Sequence, residues 1–389
     1  MLACCGAFGP LEVGLRLSSG GGSGGALAVK RLPALLGAQV SRLMVQLLQL
    51  RHTNVLQYAL CIPNRCASQP EVLLATSLCE CNLGELLVLL KADGSLGQRA
   101  HGLVRQLLSG LHYLHTLSTP VVHGNLKPSN VLIDDKGVVR LAEFGLHQML
   151  YQTTPPPASS VIWWSCETCV AYEQNRRMSC STMSDIQVAG MVVHFILTGG
   201  NHPFGTEASQ IVQNIRRGFN APATTNCEAN DLISWMVLQN PGQRPSVEKV
   251  IRHIYFWDTE KKWKFLLTCA GMSPDCKTAP LPLSNFFACL EKQAAYHNTK
   301  GDWVSVVRTF LPEIAPSVVS YSNTPVGLLN FMRDCLNSMQ NMDIQTTTRL
   351  QQFFVAAFPG LSLTLYRFIE KTDWLRHPAL APFVDGTNY

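Results

Sequence analysis

The sequence predicts an α+β chain in two parts, a two-lobed unit of sheet and helix over 1–256 and an all-α unit over 257–389. Three observations predict it. Runs with strand character come early: ALAVKRL at 26–32 alternates apolar residues about Lys30, and EVLLATSLCE at 71–80 reads as a buried strand. Helical periods follow at 84–91 and 99–117. From 258 onward the periods stay helical without strand alternation, and Pro280, Pro282, Pro312, Pro316, Pro325 and Pro359 cut them into short helices.

With 47% hydrophobic and 15% charged residues, the 389-residue chain is globular rather than disordered. Its net charge of +5 falls short of the charge runs that mark nucleic-acid arms. The most apolar run, GMVVHFIL, is too short to span a bilayer, and the opening MLACCGAFGP lacks the basic and apolar regions of a secretory signal. A cytoplasmic protein with no membrane association is expected. The 14 cysteines are scattered, and no second pair answers the C-x-x-C spacing of Cys166 and Cys169. Reduced thiols are therefore expected, not disulfides or structural zinc.

Along the chain, the glycine run at 20–25 lies only five residues before Lys30, too close for an intervening strand, and is expected as a turn. Gly9-Pro-Leu-Glu-Val-Gly14 is the better-spaced candidate for a loop over phosphate, although Pro10 and Leu11 hinder close backbone approach. Residues 39–50 carry an apolar period that suits a helix packed on the sheet. VLIDDKGVVRLAEFG at 131–145 reads as a hairpin, and the proline-rich TTPPPASS at 153–160 as a mobile loop.

The stretch HGNLKPSN at 123–130 resembles the catalytic loop of protein kinases, H-R-D-L-x-x-x-N, whose Asp accepts the substrate proton and whose Asn holds magnesium. His123, Leu126, Lys127 and Asn130 keep their places, while Gly124 replaces the Arg and Asn125 the catalytic Asp. An amide is no base near neutral pH. ALAVKRL is similar to the strand V-A-I-K, whose Lys grips the nucleotide phosphates, here Lys30; Glu143-Phe144-Gly145 stands for Asp-Phe-Gly. Leu78 and Cys79 fall in a hinge-like segment. Glu167, Asp185 and Arg244 fall at architectural positions, with a Glu167–Arg244 ion pair implied. In this register the Glu that should pair with Lys30 falls at Met44, which leaves the lysine without its orienting partner. The resemblance implies ATP or ADP with Mg2+ as cofactor, bound weakly. Asn130 and Glu143 would be the metal ligands, with Gly9, Gly14, Lys30, Leu78, Cys79 and Lys127 around the nucleotide. Phosphotransfer is expected to be absent.

Four later stretches resemble the kinase-extension-nuclease (KEN) family: WDTEKKWKFLL from 257, GDWVSVV about Trp303, YSNTPVGLLNFMRD at 321–334 and FFVAAFPGLSLTLYRFI at 353–369. Ribonuclease L and the endoplasmic-reticulum stress-sensing kinase/endoribonuclease share this architecture, and ribonuclease L is the nearer in pattern. The implied chemistry is metal-independent RNA cleavage, in which a ribose 2′-hydroxyl attacks the adjacent phosphate with help from a base, an acid and a cation. Tyr321 stands at the family's site Tyr and Arg333 at its phosphate-binding Arg. Asp334 replaces the usual Asn, Gly327 the ribonuclease L Asp, and Ser338 the expected His; His297 and His377 lie outside the motif. Between 257 and 389, 12 Lys and Arg face 11 Asp and Glu, a net of +1 that does not advertise RNA affinity. The leading expectation is a regulatory or scaffolding pseudokinase. It would form a homodimer, or a heterodimer with an active relative, and cleave RNA very slowly or not at all. The alternative is a working, dimer-activated endoribonuclease that takes single-stranded RNA and is driven by an inactive kinase domain. A third, an active kinase using Glu143, lacks a general base.

Overall fold

The computed structural model describes the chain except residues 1–4, 7–8, 16–25, 34–45, 65–70, 147–154, 176–177, 219–223, 272–301, 313, 339–343, 373–376 and 385–389. Met44, the glycine run at 20–25, His297 and most of the helix expected at 39–50 therefore lie outside the described residues. The fold is α+β, with a sheet lobe and a mostly helical lobe followed by further helices. It separates into two compact units, Met1–Thr224 with Leu232–Ile251, and Thr225–Asp231 with Arg252–Tyr389.

In the first unit, β1 (Cys5–Gly6), β2 (Gly9–Leu15), β3 (Ala26–Pro33), β4 (Tyr58–Asn64) and β5 (Glu71–Ser77) make one antiparallel sheet in the order β1-β2-β3-β5-β4. Lys30 of β3 pairs with Leu11 on one side and Leu74 on the other. Strand alternation puts Ala28 and Lys30 on the same face. The expected phosphate loop over Gly9 and Gly14 is instead strand. Leu11 to Leu15 pair residue for residue with Lys30 back to Ala26, and a Cβ on Gly14 would meet a Val29 methyl at 2.9 Å. The β1–β2 turn falls at 7–8, outside the described residues.

The helical lobe begins at a small sheet of β6 (Cys81–Asn82), β7 (Val131–Ile133) and β8 (Val139–Leu141). Helix Leu83–Ala92 starts with a capping box: the Asn82 side chain accepts from the Glu85 amide at 3.1 Å, and the Glu85 carboxylate accepts from the Asn82 amide at 2.9 Å. Helix Leu96–His115 buries Leu103, Leu107, Leu111 and Leu114 along one stripe. Gly110 lets the Asn54 carbonyl against that helix, where a Cβ would sit 2.5 Å from the oxygen. Helix Thr182–Leu197, capped by Ser181, is buried along nearly all its length. Helices Cys166–Asn175, Ala208–Arg217 and Val247–Ile251 complete the lobe. The stretch expected as a mobile loop contains the short helix Ala158–Val161, which buries Ser160; residues 153–154 lie outside the described residues.

The second unit takes the first turn of helix Cys227–Met236 and then helices Thr259–Ala270, Trp303–Phe310, Pro325–Ser338, Ile344–Ala357, Pro359–Glu370 and Ala381–Val384. No strand occurs among its described residues. Pro359, unable to continue the preceding helix, stands at a 73° bend. Aromatic rings fill the core: Trp263 stacks on Phe354 at 5.9 Å, and Trp303 meets Phe331 at 5.4 Å. Buried charges are answered within the unit. Asp231 accepts from His253 Nε2 at 2.9 Å and from Arg367 Nε at 2.7 Å, and Lys262 donates to Glu228 at 2.6 Å. No single described helix is long and apolar enough to cross a membrane.

Candidate functional site

β3 carries Lys30 into the cleft and the chain just after β8 carries Glu143. Glu143 has φ +58°, the left-handed region that side chains with a Cβ avoid. Flanking backbone bonds hold it there: the Ala142 amide donates to the Asn130 carbonyl at 2.9 Å and the Gly145 amide to that of His123 at 3.2 Å. The Glu143 carboxylate is occupied on both sides. Lys30 Nζ donates to Oε1, and Asn125 Nδ2 donates to Oε2 at 3.0 Å. Asn130 Nδ2 donates to the Asn125 carbonyl at 2.7 Å, and Lys127 Nζ to Ser160 Oγ at 3.1 Å. Asn125, Asn130 and Glu143 are all buried, and burial pulls the Lys127 ammonium below its ordinary pKa. The expectation that Lys30 lacks a partner is thus corrected. Glu143 takes that role.

Beneath these residues lies a fixed floor. Asp185 accepts from the backbone amides of His123 at 2.7 Å and Gly124 at 2.8 Å, and from His115 Nε2 at 2.8 Å. Three donors on one buried carboxylate fix the loop that presents Asn125. Glu167 and Arg244 form a two-pronged ion pair, both contacts at 2.8 Å, while Ser184 Oγ donates to Glu167 at 2.7 Å. His123 is fully enclosed, and burial pushes its ring pKa down to about 4.

Magnesium does not fit this arrangement. Glu143 is the only acid among these residues, both its oxygens hold protein donors, and the other expected ligand, Asn130, is a neutral amide whose Nδ2 already donates to the Asn125 carbonyl. Among the described residues no group of three His, Cys, Asp or Glu side chains is placed to hold a metal. Leu78 and Cys79 of the hinge line a cavity of about 520 Å³ together with Arg51, His52, Asp134 and Arg140. Lys30, Asn130 and Glu143 are not in its wall, so this cavity is not the cleft that holds them.

In the second unit, Tyr321 and Arg333 are brought together by Asp334. Tyr321 Oη donates to Asp334 Oδ2 at 2.8 Å, and Arg333 Nε donates to Oδ1 at 3.0 Å. Partial burial, with the Asp334 hydrogen bond, pushes the Tyr321 phenol up to about 12. The Arg333 hydrogen bond holds Asp334 below the usual carboxylate range. Ser338 ends helix Pro325–Ser338. His377 sits at a turn, its Nδ1 accepting from the Ala379 amide at 3.3 Å, a structural use of the ring. A Cβ on Gly327 would fall 1.9 Å from the Ser322 carbonyl oxygen.

The protein kinase domain family matches residues 34–256, more than half the chain. The chain belongs to the protein kinase domain family. It is 33% identical to the human serine/threonine-protein kinase/endoribonuclease IRE2 over 62% of this chain. It is 26% identical to the Schizosaccharomyces pombe sensor for unfolded proteins in the ER, ire1, over 82% of this chain, and 24% identical to Hypocrea jecorina IRE1 over 94%. The chain spans only 27%, 33% and 34% of those three relatives, respectively. These homologies to IRE1-type kinase/endoribonucleases support the kinase-extension-nuclease family, and the longest match necessarily runs through the second unit. The crystal structure of Rad53 1-466 in complex with AMP-PNP has the same fold at TM-score 0.51, with 23% identity, over 65% of this chain and 62% of that one.

Four contacts escaped the sequence reading: in the kinase domain Lys30 with Glu143 and Lys127 with Ser160, and in the second unit Asp334 with Tyr321 and with Arg333. The first was open to inference, since a cation stripped of its partner and an acid stripped of its metal share one cleft. Nothing in the local sequence signals the second.

Proposed function

We propose that this chain is a pseudokinase of the KEN type, in which a kinase domain without phosphotransfer regulates or scaffolds a ribonuclease-like helical module. One observation carries the reading: at the position of the catalytic base stands the buried amide of Asn125, donating to Glu143. No proton acceptor is left for a substrate hydroxyl, and loss of a general base removes about two to four orders of magnitude of rate. The cleft keeps a role as a weak adenine-nucleotide site. Radiolabelled-ATP autophosphorylation, beside a Lys30→Ala control, tests this. Labelling at background in both proteins is the expected result, and strong Lys30-dependent labelling would falsify it.

For the helical module, the names of the relatives and the assembly of Tyr321, Arg333 and Asp334 support an RNA-directed role, and Ser338 supports slow or absent cleavage. A serine hydroxyl is a poor proton donor to a leaving alkoxide. The module acts as part of a dimer, with itself or with an active relative. The second reading, a working endoribonuclease, is favoured by the same cluster, because Arg333 still offers a cation to an RNA phosphate. Incubation with labelled single-stranded RNA separates the two. Cleavage that Arg333→Ala abolishes supports the second reading; no cleavage, with a gain in Ser338→His, supports the first.

A further inference from the structure

Both cations that the cleft would offer to phosphate are already engaged by the chain itself. Lys30 donates to Glu143, with the two side chains 17% and 4% exposed, and Lys127 donates to Ser160 at 3.1 Å. For Lys30 to reach a phosphate it must leave a buried carboxylate whose remaining contact is the neutral amide of Asn125. An unpaired carboxylate at that depth is costly, and an incoming phosphate beside it adds like-charge repulsion. A divalent ion would relieve the repulsion only by displacing Lys30 or Asn125 from Glu143. An uncharged ring system meets no such conflict, because it needs neither cation and brings no charge to the buried Glu143 carboxylate.

We propose that Glu143 makes this cleft indifferent to phosphate and to divalent metal, so that the base and ribose of an adenine nucleotide carry its binding. Glu143 is then a specificity residue that acts through Lys30 as an internal counter-anion. This rests on the reading of the cleft as a nucleotide site.

Isothermal titration of the full chain with adenosine, AMP and ATP in EDTA, and with ATP in excess Mg2+, tests it. The four Kd values are expected to agree within about threefold. ATP with Mg2+ binding about tenfold or more tightly than adenosine would overturn the inference and leave the nucleotide reading standing. No binding by any of the four overturns both. A second arm uses Glu143→Gln, which removes the counter-anion but keeps a side chain of the same size. Metal-free ATP is expected to bind this variant about tenfold more tightly than wild type, with adenosine unchanged. Equal gains for both ligands, or no gain for ATP, count against Glu143 as the discriminator. If the variant does not fold, the wild-type series decides alone.

Discussion

Gly327 shows how one missing side chain fixes a candidate site. Its place against the Ser322 carbonyl leaves no room for a Cβ, and that carbonyl also accepts from Trp303 Nε1 at 3.3 Å and from the Thr324 amide at 2.8 Å. Gly327→Ala is expected to destabilise by about 1–3 kcal/mol as the 320–324 segment is pushed off its helix. Thermal melting measures this, and an unchanged Tm would contradict it. Restoring the ribonuclease L aspartate here should cost at least as much and bring no cleavage with it. At this scale the sequence revealed identities and one pairing, Glu167 with Arg244, which the motifs implied and the structure has. Asn125, Glu143, Asp185 and Arg244 could be named from motifs, but the partner Lys30 finds lies 113 positions away and has no local signature. The double engagement of Asp334 was hidden for another reason: its effect depends on where the Tyr321 hydroxyl lands, which the intervening turn decides.

Among elements, the Glu167–Arg244 clamp joins the start of helix Cys166–Asn175 to the chain before helix Val247–Ile251. The Arg244 side chain is fully buried and also donates to the carbonyls of Met183, Leu238 and Gln239. Arg244→Ala removes the cation from Glu167 and all three carbonyls, with an expected loss of about 3–5 kcal/mol. Arg244→Lys should recover only part of it, because an ammonium cannot reproduce the two-pronged contact. Chemical denaturation reads both. Elements with strong periodicity were legible in advance, as β3, β5 and the long helix Leu96–His115 show. Gly9–Leu15 was not, because glycines and a proline disguise a strand whose conformation is imposed by pairing with β3.

Across the whole molecule, acid should weaken the fold before the carboxylates titrate. His123 and His202 are each pushed by burial from 6.5 down to about 4, so the unfolded chain takes up their protons first. Stability is therefore expected to fall as pH drops from about 6.5 toward 4, His123 alone accounting for roughly 3 kcal/mol. Melting curves across that range check the sign, and a stability that rises on acidification would refute it. A different consequence follows from the way residues 225–231 belong with the helices after 252. Glu228 neutralises Lys262, and Asp231 neutralises Arg367 and holds His253. A fragment starting at 252 lacks both acids, and it should melt well below one starting at 225. The helical module thus has no single seam at which recombination could detach it intact. A lineage that kept it had to inherit the end of the kinase lobe as well, so the two units could be shuffled only as one piece.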